Sequence, residues 1–354
     1  VLIYACISSH GFGHGSRSAA VLAEVAALRP HWRLVLSTAL PESFLRLAFG
    51  AVPFERRPCQ WDVGVIQADA LGADADATLA ALERLEAGLP GLIDQEAAWL
   101  REQPEPILLL ADVPPAAALL GERIGQAPVW LASFGWDAIY GPMGPAFAAW
   151  ASRARELYGR GRLLLRCPLA LPMPWGVPEQ EVGLTCSRPR LDISVLRERL
   201  RLPEQRQRCV LISFGGLGME LDPALLARWG DLVFIGSDPA LAAAANGRVL
   251  PEGVRPLDGM PLVGRLITKP GYSSFCEAFS QDVGIHLVRR QGFAEAPVLE
   301  RELQLHGRHR LISAAQLHQG DWELDQPLLE PEAGPLAGDG AATAARSLVE
   351  LAEG

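Results

Sequence analysis

Two kinds of glycine turn carry the residue types in this chain that could do chemistry. One is Lys269-Pro-Gly-Tyr-Ser-Ser-Phe-Cys-Glu277, which follows the apolar run Val263–Thr268 and leads into the helix-like stretch Ser274–Ser280. A strand–glycine–helix junction leaves backbone N–H groups unpaired at the positive end of a helix, and so favours an anion. Gly271, Ser273 and Ser274 would face that anion, Lys269 would add charge, and Glu277 stands one helical turn further on. As a first-turn acid Glu277 would contribute only about 0.3–1 kcal/mol. Its other reading is as an acceptor for the hydroxyls of a ribose. Ser213-Phe-Gly215-Gly216-Leu-Gly218 follows a strand and resembles a phosphate-facing loop, although a plain strand-to-helix turn would use the same residues.

The other turn is Ser8-Ser-His10-Gly-Phe-Gly13-His14-Gly-Ser-Arg17, at the end of the first strand. An imidazole at a helix start suits proton transfer near neutral pH. The competing role is to cap the helix or brace the loop. A dinucleotide fingerprint fits poorly, because the glycines fall at 11, 13 and 15 and the second strand ends in Ser37-Thr38, not in an acid.

Two more strand ends carry polar groups. Asp112 ends an apolar strand and precedes Pro114-Pro115; it is either a helix N-cap or a carboxylate at the sheet edge near the His14 loop. Ser133-Phe-Gly-Trp136-Asp137 follows the next strand. Trp136 would cover the apolar face of a sugar while Asp137 takes its hydroxyls; a core tryptophan is an equally fair reading. Arg289, Arg290, Glu295 and Glu300 lie in a late turn where polar groups would reach a sugar, or simply meet solvent. Asp74-Ala-Asp76 has the look of a metal motif but opens a predicted helix, so no metal and no cofactor is expected.

The elements that must position these groups alternate. Val1–Ser8, Arg33–Thr38, Val52–Arg57, Ile107–Ala111 and Val129–Ala132 read as strands, with helices at Gly15–Leu28, at Asp74–Glu102 (broken near Gly88 to Gly91) and from the Pro114-Pro115 pair to Ile124. After the proline-rich stretch Cys167–Pro189 a second series begins, with strands at Cys209–Phe214, Leu232–Gly236, Leu266–Thr268 and Val283–Val288 and a helix at Leu221–Trp229. This predicts an α/β protein of two Rossmann-like domains with parallel sheets, facing across a cleft. The boundaries are an amino-terminal domain 1–170, a linker 171–190, a second domain 191–335 and a carboxyl-terminal helix 336–354 that packs back on the first domain.

With 354 residues, 49% hydrophobic and 21% charged, the chain has room for two full cores. Its net charge of −9, without a basic run, excludes nucleic acid as a partner. No apolar stretch is long enough for a transmembrane segment, and the start reads as a core strand, not a signal peptide. Peripheral membrane contact would need an apolar patch on the first domain. The six scattered cysteines read as reduced and mostly buried, which points to a cytoplasmic setting.

Together, the His10–His14 loop and the Gly-x-Ser-Ser-x-x-Glu turn ending at Glu277 resemble the GT-B glycosyltransferases, among them the lipid II N-acetylglucosaminyltransferases and plant galactolipid synthases. The chain is more closely similar to the glycosyltransferase-like amino-terminal region of L-arabinokinases and related bacterial proteins. That similarity rests on His10-Gly-Phe-Gly-His14, Ser133-Phe-Gly-Trp-Asp-Ala-Ile-Tyr140, Lys269–Glu277, Leu311-Ile-Ser313 and His318-Gln-Gly-Asp-Trp322. The Gln-rich sugar-contacting segment of the broad family is absent; Glu295–Glu300 takes its place. No second phosphate-binding motif follows Trp322, so arabinokinase activity is not expected.

The resemblance implies a metal-independent, inverting transferase using a nucleotide-diphosphate sugar, UDP-linked, as co-substrate. Gly215, Gly216, Lys269, Gly271, Ser273 and Ser274 would hold the diphosphate, and Glu277 the ribose. His14, Asp112 or Asp137 would take the proton of an unknown acceptor, with His14 favoured. His10, Gly13, Trp136, Arg289 and Glu300 would line the acceptor or sugar side. A non-catalytic nucleotide-sugar sensor and a sugar-nucleotide epimerase on the same fold are the alternatives.

Overall fold

The computed structural model describes residues 1–66, 74–215, 221–290 and 293–354. The chain divides into two compact units: Val1–Thr185 with Gly292–Glu295 and Ala337–Gly354, and Cys186–Gln291 with Ala296–Leu336.

The first unit runs β1 (Leu2–Ile7), α1 (Phe12–Leu28), β2 (Arg33–Ser37), α2 (Glu42–Phe49), β3 (Glu55–Arg57), α3 (Ala75–Arg101), β4 (Ile107–Asp112) and α4 (Ala117–Ile124). It continues with β5 (Val129–Ala132), α5 (Trp136–Tyr140), α6 (Ala148–Tyr158), β6 (Leu163–Arg166) and β7 (Glu179–Glu181). Its seven parallel strands take the order β3-β2-β1-β4-β5-β6-β7. β1 lies centrally, buried along its whole length, which is why Leu-Ile-Tyr-Ala-Cys-Ile is apolar without alternation. The two edge strands, Glu-Arg-Arg and Glu-Gln-Glu, are polar, as edges exposed to other chains must be.

The second unit holds α7 (Ile193–Leu200), β8 (Cys209–Ile212), β9 (Val233–Gly236), β10 (Gly247–Val249), α8 (Pro256–Gly259), β11 (Arg265–Thr268) and α9 (Tyr272–Ser280). Then come β12 (Gly284–Val288), α10 (Ala296–His306), β13 (His309–Ile312) and α11 (Ala314–Gln319). The six-stranded sheet has the order β10-β9-β8-β11-β12-β13. In each sheet the first strand lies between the second and the fourth, so the strand order reverses at β1/β4 and at β8/β11. Open α/β sheets bind ligands at that switch point, beyond the carboxyl ends of the strands.

The final helix, α12 (Gly340–Glu353), packs on α1 within the first unit. Ser347 donates to Gln180 at 2.8 Å, and Leu184 N–H donates to the Ala337 carbonyl at 2.7 Å.

Three local expectations need correction. The stretch 171–190 is not a free linker: Glu179–Glu181 pairs in parallel with β6, and the boundary between units falls after Thr185. Its prolines flank the strand and do not interrupt it. Leu221–Trp229 is a 3-10 helix over Pro223–Trp229, not an α-helix. The long helix is continuous through Pro90. Burial on both sides of the proline, at Thr78, Leu82, Leu89, Ile93, Ala97 and Leu100, outweighs one lost N–H bond, and Pro90 itself faces solvent. An interior proline costs roughly 3 kcal/mol against alanine. Pro90→Ala is therefore expected to raise the urea midpoint of the first unit; an unchanged or lower midpoint would show that the helix is already relaxed around it.

The six cysteines are free, and all but Cys186 are buried. Among the described residues no helix is long and apolar enough to cross a membrane.

Candidate functional site

At the first switch point β1 and β4 run in register, Ile7 opposite Asp112. Helix α1 starts at Phe12, earlier than the predicted Gly15, so Gly13 and His14 lie in its first turn. There His14 Nδ1 is 2.8 Å from Asp112 Oδ1. A carboxylate only accepts, and Arg17 Nη2, 3.3 Å from the same nitrogen, only donates; the shorter Asp112 contact favours the Nδ1–H tautomer, with Nε2 as the basic nitrogen.

Asp112 is fully buried and does not cap a helix. It also accepts from Arg17 Nε at 3.0 Å, from Arg17 Nη2, and from Ser18 Oγ at 2.9 Å. Arg17 Nη1 donates to Ser133 Oγ at 2.9 Å. Burial alone would raise the Asp112 pKa; the Arg17 charge and the contacts with His14 override it and hold the carboxyl below its ordinary range. Arg17 and Ser18 escaped the motif reading. The available signal was spacing: they follow His14 by three and four residues, on the same helical face.

Asp62 is a second carboxylate that sequence reasoning missed, in the loop after β3. Its Oδ1 accepts from Ser8 Oγ at 3.0 Å and its Oδ2 from Trp136 Nε1 at 2.8 Å. His10 is part of the same assembly. Its Nδ1 accepts from Val65 N–H at 3.3 Å, and its ring meets Trp136 edge-on at 5.3 Å. Gly64, at φ +72°, is needed there: a Cβ would sit 2.2 Å from His10 Nδ1.

Two expected roles do not match these positions. Trp136 is 1% exposed and stacks on Tyr140 at 5.6 Å, so it cannot offer a face to a sugar from solvent. Asp137 is not brought to His14. It is buried against Arg155 Nε at 3.1 Å and Trp175 Nε1 at 3.4 Å, where it secures α6 and the following loop. Both residues follow a strand end, but the short helix α5 turns their side chains inward.

In the second unit β8 and β11 form the other switch point. Gly215, at φ +75°, lies exposed after β8; Gly216 lies outside the described residues. Gly271 is the N-cap of α9, and Ser273 and Ser274 lie in its first turn, where the first intrahelical bond runs from Phe275 N–H to the Gly271 carbonyl. No side chain caps this nine-residue helix. Lys269 is half-buried, and burial, then Arg290, lowers its pKa.

Glu277 is half-buried, and desolvation pushes its pKa up to about 7, with Arg255 opposing and Asp258 reinforcing. Arg255 is largely committed to Asp258, at 3.0 and 2.6 Å, and so does little to charge Glu277. Arg289 and Glu300, expected to reach a sugar, are paired with each other at 2.7 Å on the surface. Among the described residues no group of three or more His, Cys, Asp or Glu side chains is arranged to hold a metal ion.

Two parallel α/β units of this order define the GT-B fold, and the solved structures that match it are glycosyltransferases. Phytolacca americana UGT2, complexed with UDP-2fluoro-glucose and pterostilbene, aligns over 99% of this chain and 94% of its own, with a TM-score of 0.66 and 14% identity. Arabidopsis thaliana UGT89C1, complexed with UDP-L-rhamnose, aligns over 99% and 93%, with a TM-score of 0.65 and 13% identity. In sequence the chain is similar to L-arabinokinase of Arabidopsis thaliana, 27% identical over 330 residues. The match covers 89% of this chain and 31% of the relative, so the chain spans about a third of that protein's length. No protein-family model matches.

Proposed function

We propose that this chain is a metal-independent glycosyltransferase that moves a sugar, with inversion, from a UDP-linked donor to a hydroxyl-bearing acceptor. The observation that carries this reading is the His14–Asp112 contact of 2.8 Å at the switch point of a GT-B unit. Asp112 orients the ring, and His14 Nε2 takes the acceptor proton. The acceptor oxygen forms its bond to the anomeric carbon as the bond from that carbon to the diphosphate oxygen breaks, and the electron pair leaves with UDP. The start of α9, with Gly271, Ser273 and Ser274, and the Gly215 turn stabilise the departing diphosphate through backbone N–H groups and the helix end. Lys269 adds charge beside them. Glu277 accepts from the ribose hydroxyls. The UGT2 and UGT89C1 complexes hold UDP-2fluoro-glucose and UDP-L-rhamnose, which supports the donor class.

The test is UDP release from a panel of UDP-sugars with candidate acceptors. Saturable UDP-sugar binding and acceptor-dependent UDP release are the expected results; no binding of any nucleotide sugar would remove the donor site.

The raised pKa of Glu277 makes a separate prediction. Without ligand, the folded carboxyl keeps its proton while the unfolded one loses it above about pH 4.5. Its contribution to stability is therefore present below that value and is lost as pH rises to about 7. A ribose contact needs the carboxylate, so donor binding releases a proton, and affinity rises with pH through the same range. Calorimetry in buffers of different ionisation enthalpy measures this release. Glu277→Gln should abolish it; release that persists in the variant would locate the titrating group elsewhere.

One observation favours a second reading, a nucleotide-sugar sensor without turnover. Arg17 already neutralises Asp112, which weakens the pull of the carboxylate on the His14 proton. Tight UDP-sugar binding with no UDP release, with or without acceptors, would decide for it.

A further inference from the structure

Among the described residues, no Lys, Arg or His side chain is hydrogen-bonded or ion-paired to the buried carboxylate of Asp62. It is 4% exposed and accepts from Ser8 Oγ and Trp136 Nε1, both neutral donors. His14, which acts on it electrostatically, is bound to Asp112. Burying a carboxylate against neutral donors alone is costly, and desolvation accordingly raises its pKa.

Beside this carboxylate, within the first unit, lies a cavity of about 50 Å³. Trp61, Trp136, Tyr140 and Trp150 contribute aromatic side chains, and aliphatic residues of α3, α4 and α6 line much of the rest. Its exposed rim carries Glu86 and Arg153, which pair with each other. The charge of the lining is thus negative, and the unbalanced part of it belongs to Asp62. A cavity of this size exceeds the roughly 10–15 Å³ that one water needs and falls short of the ~150 Å³ that takes benzene.

We propose that this cavity binds the protonated amino group of a short alkylamine, with Asp62 as its counter-ion. Asp62 lines the cavity, and each of its carboxylate oxygens accepts one hydrogen bond, which leaves acceptor capacity for an ammonium N–H. The alkyl chain replaces water against the apolar helices. A neutral alcohol of the same shape leaves the charge unbalanced, and a quaternary ammonium has no N–H to donate. Ser8 Oγ, which donates to Asp62, also accepts from His10 N–H at 3.2 Å, so occupancy is felt in the His10–His14 loop. This ligand belongs to the first unit alone and does not depend on the transferase reading.

The experiment uses the full chain at pH 7 and constant ionic strength, with n-propylammonium, 1-propanol and tetramethylammonium as probes. Heat unfolding and titration calorimetry are the readouts. Propylammonium is expected to raise the melting temperature saturably and to bind at least tenfold tighter than 1-propanol. Asp62→Asn should remove that difference. Arg153→Gln, on the exposed rim, should tighten propylammonium several-fold without disturbing the core, and this keeps a sign-dependent readout if the Asp62 variant folds poorly. Equal binding of 1-propanol, equal binding of tetramethylammonium, unchanged affinity in Asp62→Asn, or no saturable shift would each overturn the proposal. UDP-sugar binding measured on the same sample separates this result from that of the proposed reaction.

Discussion

His14→Ala should reduce acceptor-dependent UDP release by about 10²–10⁴-fold, the usual contribution of a positioned general base. UDP-sugar affinity should stay unchanged, because the residues proposed to hold the donor lie in the other unit. The side chain is 7% exposed and sits in the first turn of α1, so its removal leaves a small gap and little backbone strain. A split between lost turnover and intact binding is what separates a base from a structural histidine. If turnover survives within a few-fold, the proton goes elsewhere, and the His14–Asp112 contact is a brace for the loop. Rescue of the variant by added imidazole would strengthen the assignment, since the missing group is then supplied from solution.

Asp112→Ala should destabilise the first unit by about 3–5 kcal/mol, because it leaves a buried cation without its partner. That cation is Arg17, 2% exposed and held by Asp112 through two of its nitrogens. Replacing both, as in Asp112→Leu with Arg17→Met, should recover most of the loss, since an apolar pair of similar volume needs no compensation. Urea unfolding of the two single variants and the double variant measures the coupling; additive losses would mean that the pair does not act as a unit. The pH dependence has a definite sign. The folded pKa of Asp112 is lowered, so its contribution is present above the ordinary carboxylate value of 3.8 and is lost as pH falls through the lowered one. In Arg17→Met that acid-dependent loss should shrink or reverse, because the buried carboxylate then loses the charge that keeps its pKa low; an unchanged pH dependence in urea unfolding would show that Arg17 does not set it.

Much of the architecture was legible in the linear pattern. Strands buried on both faces are apolar runs, the glycine turns that follow them mark carboxyl ends, and the alternation with helices requires a parallel sheet. What that pattern could not settle is pairing. Glu179-Gln-Glu181 has no apolar signature and lies among prolines, yet it pairs as the seventh strand because β6 presents an open edge. Pro90 reads as a helix break, and the helix passes through it because packing on both sides holds it together.

The chemistry divides along the same line. The order of residues along the chain determined that His14 starts a helix, that Asp112 ends a strand, and that Gly271–Ser274 starts another helix, because each follows from local backbone preference and spacing. Only the tertiary structure decided which of them meet. The strand order placed β4 beside β1 and brought Asp112 to His14 across 98 positions. The same packing turned Trp136 and Asp137 into the core, delivered Arg17 to Asp112, and buried Asp62 against the neutral donors of Ser8 and Trp136. A side chain's direction and partners depend on elements far away in sequence, and no local spacing encodes them.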